Sequence, residues 1–182
     1  MSQLLRIADI GTDTSARFRV QVKETLICKA LMLCLAPCRE ELSHRELLPE
    51  DIGRDRWVVD VPKARDWVSV ANFKVPLNVC VAVYGLQVDP RDSVMLQTIR
   101  CGNLRTVFAL VNLHKLYIPR RATVNTNGVR TWQFEPTGYL NEPMVFLPEN
   151  VIQIEAKAWD RGQCTLILEG HVVEPKGAII SE

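Results

Sequence analysis

The alternation of apolar and polar residues is clearest between Pro143 and Pro175. In residues 151–159 every second side chain up to position 158 is apolar: Ile152, Ile154, Ala156 and Ala158. A period of two is typical of a half-buried strand. After the turn at residues 160–163, residues 164–173 form a second strand-like run. Two strands joined by a short Gly-containing loop predict an antiparallel hairpin.

Similar runs fill the chain from residue 56 onward. Strands are predicted at 56–61, 67–75, 78–88, 93–100, 104–117, 123–125, 129–134 and 144–147. Residues 79–88 are apolar at nearly every position, which predicts a central strand covered on both faces. Asn127-Gly128 predicts a type I′ hairpin turn. Strands at intervals of roughly 8–12 residues without alternating helices favour an antiparallel β-sandwich or jelly roll.

The first 50 residues have a different pattern. Strands are predicted at 4–10 and 16–23, and a short helical segment is predicted at 24–50. Within that segment, residues 25–37 fit either a helix or a buried strand. Residues 39–48 fit an amphipathic helix that ends before Pro49. No linker divides the chain, so we expect one β-sandwich domain over residues 1–182, with 24–50 as a possible helical insertion.

Charge and cysteine content narrow the class of protein. The 22 Lys and Arg against 21 Asp and Glu give a net charge of +1, which argues against long-range attraction to nucleic acid or to a membrane surface. No basic segment followed by an apolar one resembles a signal peptide. The six cysteines fall mostly in apolar runs, as buried thiols do. We therefore expect a soluble protein made in a reducing cytoplasm.

Motifs for catalysis or metal binding are missing from the sequence. Cys28, Cys34, Cys38 and His44 lack the close C-x2-C spacing of zinc sites, and buried thiols are the favoured interpretation. His171 falls on the opposite strand face from Leu166 and Leu168, so we predict an outward or sheet-surface histidine. No nucleophile or phosphate-loop motif occurs. Five glutamates fit a solvated surface: Glu135, Glu142, Glu149, Glu155 and Glu169. We predict no catalytic, cofactor-binding or metal-binding residues and no enzymatic activity.

Two kinds of binding surface stay open. An aromatic platform for carbohydrate has these candidates: Trp57, Trp67, Trp132, Trp159, Tyr117 and Tyr139. Of these, Trp132 and Trp159 also fit anchors in the core or at a sheet edge. A basic spot at Pro119-Arg120-Arg121, with Lys115 and Arg130 nearby in sequence, fits a solvated corner or a subunit contact.

Residues 146–155 (FLPENVIQIE) and 162–173 (GQCTLILEGHVV) resemble the closing strands of β-sandwich and jelly-roll structural proteins from tailed bacteriophage virions. The shared pattern is an apolar run with a Pro turn, an alternating strand, a Gly turn, and a strand with Gly before two β-branched residues. The resemblance implies a non-enzymatic capsid-associated, connector or tail subunit. It would be made in the host cytoplasm and reside in the virion.

On this reading the partners are copies of the same chain and other virion structural proteins, with no specific nucleic acid, membrane or small-molecule cofactor. Exposed apolar residues near the chain ends would be buried against neighbours: Leu4, Leu5, Ile179 and Ile180. Sheet edges would pair between subunits or be blocked by Pro119, Pro143 and Pro148. The main alternative is a monomeric β-sandwich carbohydrate-binding module, and a jelly-roll enzyme comes third.

Overall fold

The computed structural model describes residues 6–8, 10–11, 42–102, 107–119, 121–134 and 137–175. These residues are mainly β. The strands are β1 (Arg6–Ala8), β2 (Ile10–Gly11), β3 (Leu42–Glu46), β4 (Val58–Val61), β5 (Trp67–Lys74), β6 (Cys80–Val88), β7 (Leu96–Gly102), β8 (Val107–Asn112), β9 (Arg121–Val124), β10 (Arg130–Gln133), β11 (Thr137–Phe146), β12 (Val151–Ala158) and β13 (Gly162–Pro175). Two 3₁₀ helices lie at Pro49–Ile52 and His114–Tyr117.

The strands form two main sheets and one separate hairpin. The first sheet has the order β1-β8-β7-β12-β5, and the second has the order β2-β11-β6-β13-β3, with β4 also paired to β13. All described pairs are antiparallel except β1 with β8. Strands β9 and β10 pair with each other. The predicted mainly β, antiparallel fold is therefore confirmed.

One buried cluster contains residues from both main sheets. Ile99 and Ile154 come from the first sheet, and Leu86 and Leu166 come from the second. Each such side chain stabilises the fold by roughly 1.5–3 kcal/mol through its burial. Strand β6 lies between β11 and β13 and is buried at every position except Gln87. The prediction of a central strand covered on both faces is confirmed.

The predicted hairpin of β12 and β13 is wrong. Strand β12 pairs with β5 and β7 in the first sheet, whereas β13 pairs with β6, β3 and β4 in the second. Residues 159–161 therefore connect two sheets. Both strands bury every second residue in the same core, so their alternation is the same as that of a paired hairpin. Gly162 closes the connection with a φ of 137°, where a Cβ would lie 2.8 Å from Cγ2 of Val94.

The predicted helix over residues 39–48 is also wrong in its described part. Leu42–Glu46 is strand β3, which pairs with the last five residues of β13, and Pro49–Ile52 is a 3₁₀ helix. The hydrogen bonds offered by the long strand β13 outweigh the weak helical spacing of the leucines. Arg45 adds ion pairs to Asp51 (2.6 Å) and Glu174 (3.0 Å). The rest of the predicted helical segment, residues 24–41, and the strand predicted at 16–23 lie outside the described residues.

The hairpin predicted at Asn127-Gly128 is confirmed, but its turn type differs. Strands β9 and β10 are joined by residues 125–129, a five-residue loop instead of a two-residue one. Of the two residues only Gly128 has a positive φ (77°). The Oδ1 of Asn125 accepts hydrogen bonds from the backbone N–H of Asn127 (3.1 Å) and of Val129 (2.8 Å). This side-chain closure of the loop replaces the type I′ geometry.

Candidate interaction surfaces

Exposed apolar side chains lie at the start of β12. The loops at residues 75–79 and 147–150 meet there, because Val75 N–H donates to the Asn150 carbonyl (2.8 Å) and Glu149 N–H donates to the Val75 carbonyl (2.9 Å). Leu77 is 71% exposed and Leu147 is 36% exposed. We call these two leucines the start patch.

A second pair of exposed apolar side chains lies at the other end of the same strand. The backbone N–H of Trp159 donates to the Met95 carbonyl at 3.0 Å. Met95 is 44% exposed and Trp159 is 39% exposed, and the Arg65 guanidinium lies 5.8 Å from the Trp159 ring centre. We call Met95 and Trp159 the end patch. Strand β12, whose two ends lie beside the two patches, is about 23 Å long at the usual rise per strand residue.

Trp67 lies beside charged residues of the first sheet. It is paired with Lys157 across β5 and β12, while Arg100 is paired with Glu155 across β7 and β12. The Arg100 guanidinium carbon is 4.3 Å from the Trp67 ring centre, and its Nε donates to Glu155 Oε2 at 2.5 Å. The Lys157 ammonium is 5.9 Å from the same ring centre. Two cationic side chains, those of Arg100 and Lys157, therefore already lie near the Trp67 indole.

The other aromatic candidates are placed differently. Trp57 contacts the core cluster, and the Tyr117 hydroxyl accepts a hydrogen bond from Leu96 N–H at 3.0 Å. Tyr139 is buried and stacks on Tyr84 with ring centres 6.4 Å apart. Trp132 belongs to β10, where its backbone pairs with Ala122. Of the candidate aromatics, Trp67 and Trp159 both lie near the end of β12, while the side chain of Trp132 is not among those that the structure describes.

A histidine–tyrosine cluster lies on the second sheet. The His171 ring centre is 5.6 Å from that of Tyr84 and 6.1 Å from that of His44. His171 does lie on the opposite strand face from Leu166, but it is only 6% exposed, because these rings cover it. Burial, together with the charges of Glu169 and Glu46, raises the pKa of Tyr84 well above its usual value near 10. A phenol with such a pKa is neutral at pH 7 and is a poor general base.

The described thiols fit the predicted buried cysteines. Burial raises the pKa values of Cys101 and Cys164 to about 12, and Cys80 is fully buried. A thiol with a pKa this high carries little of the nucleophilic thiolate. Within the described ranges, no three His, Cys, Asp or Glu side chains converge to hold a metal ion. Cys28, Cys34 and Cys38 lie outside those ranges.

The glutamates of the surface are partly in ion pairs. Glu149 contacts Lys74 at 3.1 Å and Glu155 contacts Arg100 at 2.5 Å. The charge of Glu169 contributes to the raised pKa of Tyr84, and its Cβ would lie 3.2 Å from a Cβ added to Gly85. The side chains of Glu135 and Glu142 are not among those that the structure describes.

A shallow cleft of about 340 Å³ lies beside the end of β10. Phe134, Ile167 and Arg91 line it together with neighbouring residues. The guanidinium of Arg91 donates to both carboxylate oxygens of Asp89, at 3.1 and 3.0 Å. Because Arg91 and Asp89 neutralise each other, neither charge is left to bind a small ligand in the cleft.

Of the prolines and apolar end residues expected at subunit contacts, the structure describes the prolines. Pro143 lies inside β11, at the break in register between Tyr139 and Met144. Pro119 precedes β9 and Pro148 lies in the loop before β12. Leu4, Leu5, Ile179 and Ile180 lie outside the described residues.

Comparisons of this chain with protein-family models, with curated proteins and with solved structures find no match. Among the helices that the structure describes, none has the length and apolar character needed to cross a membrane.

Proposed function

We propose that the chain is a non-enzymatic structural protein that acts by multi-copy self-assembly, as a capsid-associated, connector or tail subunit of a bacteriophage virion. The observation that supports this best is the pair of exposed apolar patches at opposite ends of β12. The resemblance of residues 146–155 and 162–173 to virion proteins points the same way. In this proposal the two main sheets, which share one core, form a β-sandwich.

The two patches have different side chains, so a contact between them joins copies head to tail. A head-to-tail contact repeats until a ring closes or a filament forms, unlike a two-fold contact, which stops at a dimer. Leu77 is mostly exposed in the single chain. Its burial against a neighbour would contribute about 1–2 kcal/mol, since full burial of a leucine contributes roughly 1.5–3 kcal/mol.

The test uses two complementary variants, Leu77→Asp in the start patch and Trp159→Asp in the end patch. Each variant alone is expected to sediment as a monomer, because each lacks one half of the head-to-tail contact. An equimolar mixture is expected to form dimers, because one intact start patch can meet one intact end patch. Leu48→Asp is the matched control, since Leu48 is exposed outside both patches.

Sedimentation velocity and negative-stain microscopy give the result. Closed rings or tubes from the unchanged chain and from Leu48→Asp support the proposal. A wild-type monomer at all concentrations, or a mixture of the two variants that stays monomeric while the wild type assembles, refutes the head-to-tail contact.

A carbohydrate-binding module is the second candidate, and one observation favours it. Trp67 and Trp159 both lie near the end of β12, with Arg65, Arg100 and Lys157 around them. Two indoles with nearby cations suit an acidic polysaccharide better than a neutral one. Calorimetric titration with an acidic polysaccharide tests this. Binding that Trp67→Ala abolishes in a monomeric chain would favour this candidate over assembly.

A further inference from the structure

Acidic and basic residues are segregated along the chain. Residues 93–134 contain no Asp or Glu, although a segment of that length would contain about five at the average composition. The same segment contains six of the 22 Lys and Arg residues: Arg100, Arg105, Lys115, Arg120, Arg121 and Arg130. The rest of the chain has 16 basic and 21 acidic residues. The net charge of +1 conceals this asymmetry.

About a third of this acid-free segment, at its C-terminal end, forms the separate hairpin. We call residues 121–133, which comprise β9, β10 and their turn, the arm. Its strands pair with each other and with no other described strand. Every residue from 122 to 131 is exposed. The Asn125 side chain closes the turn through its two hydrogen bonds. A two-stranded hairpin is marginally stable alone in water, so an exposed arm of this kind is suited to binding a partner.

The chemistry of the arm suits a polyanion. Arg121 and Arg130 supply positive charge, and Arg120 immediately precedes the arm in the sequence. Threonine and asparagine residues supply neutral donors that commonly contact phosphate oxygens. A two-stranded ribbon is also narrow enough to enter the major groove of B-DNA. We propose that the arm binds the phosphate backbone of nucleic acid without sequence preference.

An acidic surface on a second copy is a weaker match to the arm. Several carboxylates of the two main sheets and their loops are already held in ion pairs: Arg45–Asp51, Lys63–Asp66, Lys74–Glu149, Arg91–Asp89 and Arg100–Glu155. A phosphate backbone offers a continuous row of charges that no such partner neutralises. The arm is separate from both apolar patches, so this inference goes beyond the proposed assembly and does not depend on it.

The salt dependence of binding has an expected size. If the three cations Arg120, Arg121 and Arg130 each neutralise one duplex phosphate, log Kobs falls against log salt with a slope of about −3. Affinity should then drop by roughly 40-fold between 50 and 200 mM salt. Removing two of the three charges should lower the magnitude of the slope by about 2.

The experiment measures fluorescence anisotropy of a labelled 30-base-pair duplex and a labelled single-stranded RNA over that salt range. The double variant Arg121→Gln, Arg130→Gln is compared with Arg161→Gln, which removes an exposed arginine outside the segment. Thermal unfolding of each variant establishes that the fold is retained. We expect salt-sensitive binding of unrelated sequences, weakened at least tenfold in the double variant and unchanged in Arg161→Gln.

Two results would overturn the inference: no binding of the wild-type chain at 50 mM salt, and equal binding by the double variant. If the wild type does not bind and the double variant also loses its oligomers, the arm is a contact with a second copy instead. Failure of the assembly proposal is distinguishable, because a monomeric Leu77→Asp chain should still bind nucleic acid with the slope of about −3 expected for the cations of one copy.

Discussion

Gly170 occupies a position in β13 where the second sheet leaves no room for a side chain. The register of β13 on β6 shifts between Glu169, which pairs with Gly85, and Gly170, which pairs with Val83, so that Tyr84 is the extra residue of a bulge. A Cβ added to Gly170 would lie 2.3 Å from the Ala82 carbonyl oxygen. Replacement of this glycine by alanine is therefore a sharp test of the pairing.

The expected loss in the free energy of unfolding depends on which atom the added Cβ would overlap. Carbon–oxygen contacts in sheets are usually about 3.3 Å or longer, so the overlap is about 1 Å. The oxygen belongs to the central strand β6 and cannot move without stretching the hydrogen bonds to β13. Overpacking typically costs 1–3 kcal/mol, and a backbone obstacle belongs at the upper end. We expect Gly170→Ala to lower the free energy of unfolding by about 3 kcal/mol.

Gly85→Ala in the adjacent strand is the matched control. Its added Cβ would lie 3.2 Å from Cβ of Glu169 and 3.2 Å from Cδ1 of Tyr139, so side chains rather than backbone must yield. We expect a loss of about 1 kcal/mol. Urea unfolding followed by tryptophan fluorescence measures both, and with an m-value of about 2–3 kcal/mol/M the Gly170→Ala midpoint should fall by about 1–1.5 M. A loss for Gly170→Ala no larger than that for Gly85→Ala would refute the pairing of β6 with β13.

Two further predictions concern buried titrating groups. Because burial raises the pKa of Cys101 to about 12, its alkylation at pH 8 should proceed only through unfolding, and mass spectrometry that finds rapid native labelling would contradict this. The raised pKa of Tyr84 keeps its phenol neutral in the folded state while the unfolded chain ionises near pH 10. Its contribution to stability is therefore present below pH 10 and is lost above it, by at most about 1.4 kcal/mol per pH unit. Tyr84→Phe should lessen the decline in unfolding free energy between pH 9 and 11, and an unchanged decline would oppose the assignment.

The sequence predicted where most strands lie because burial on one face imposes a period of two. Strand β12 buries every second residue, as its alternation requires, and β6 is buried almost throughout. Strand β11 is longer than predicted, since only residues 144–147 were predicted as a strand, and a proline such as Pro143 is rare in a strand interior. The structure accommodates Pro143 where the pairing of β11 with β6 is interrupted, so β11 extends from Thr137 to Phe146.

Strand partners were harder to predict than strand positions. The alternation of apolar and polar residues in β12 and β13 indicates which side chains are buried. It does not indicate whether the two strands lie side by side in one sheet or face each other across the core. The helix predicted before Pro49 failed for a related reason. Strand β3 is stabilised by hydrogen bonds to residues about 130 positions later in the chain, which no local pattern reveals.

The interaction surfaces were partly readable from the sequence. Leu77 lies in a short Val-Pro-Leu-Asn stretch that has the composition of a turn, and its exposure depends on how two loops meet. The acid-free segment, in contrast, is visible in the sequence itself. A single net charge for the whole chain obscured it, because the excess of carboxylates elsewhere cancels the six cations of residues 93–134.

Assembly and nucleic-acid binding would reinforce each other if both proposals hold. In a closed ring every copy is related by the same rotation, so all arms lie at one height on the ring. One arm with a few cations binds weakly at physiological salt, as non-specific contacts do. Several arms held on one assembly raise the effective concentration of each at the same nucleic acid, which strengthens binding without any new contact. The two patches at the ends of β12 would then set the number of arms, and the arms would set the salt dependence, so the two functions are separable by mutation although they act together.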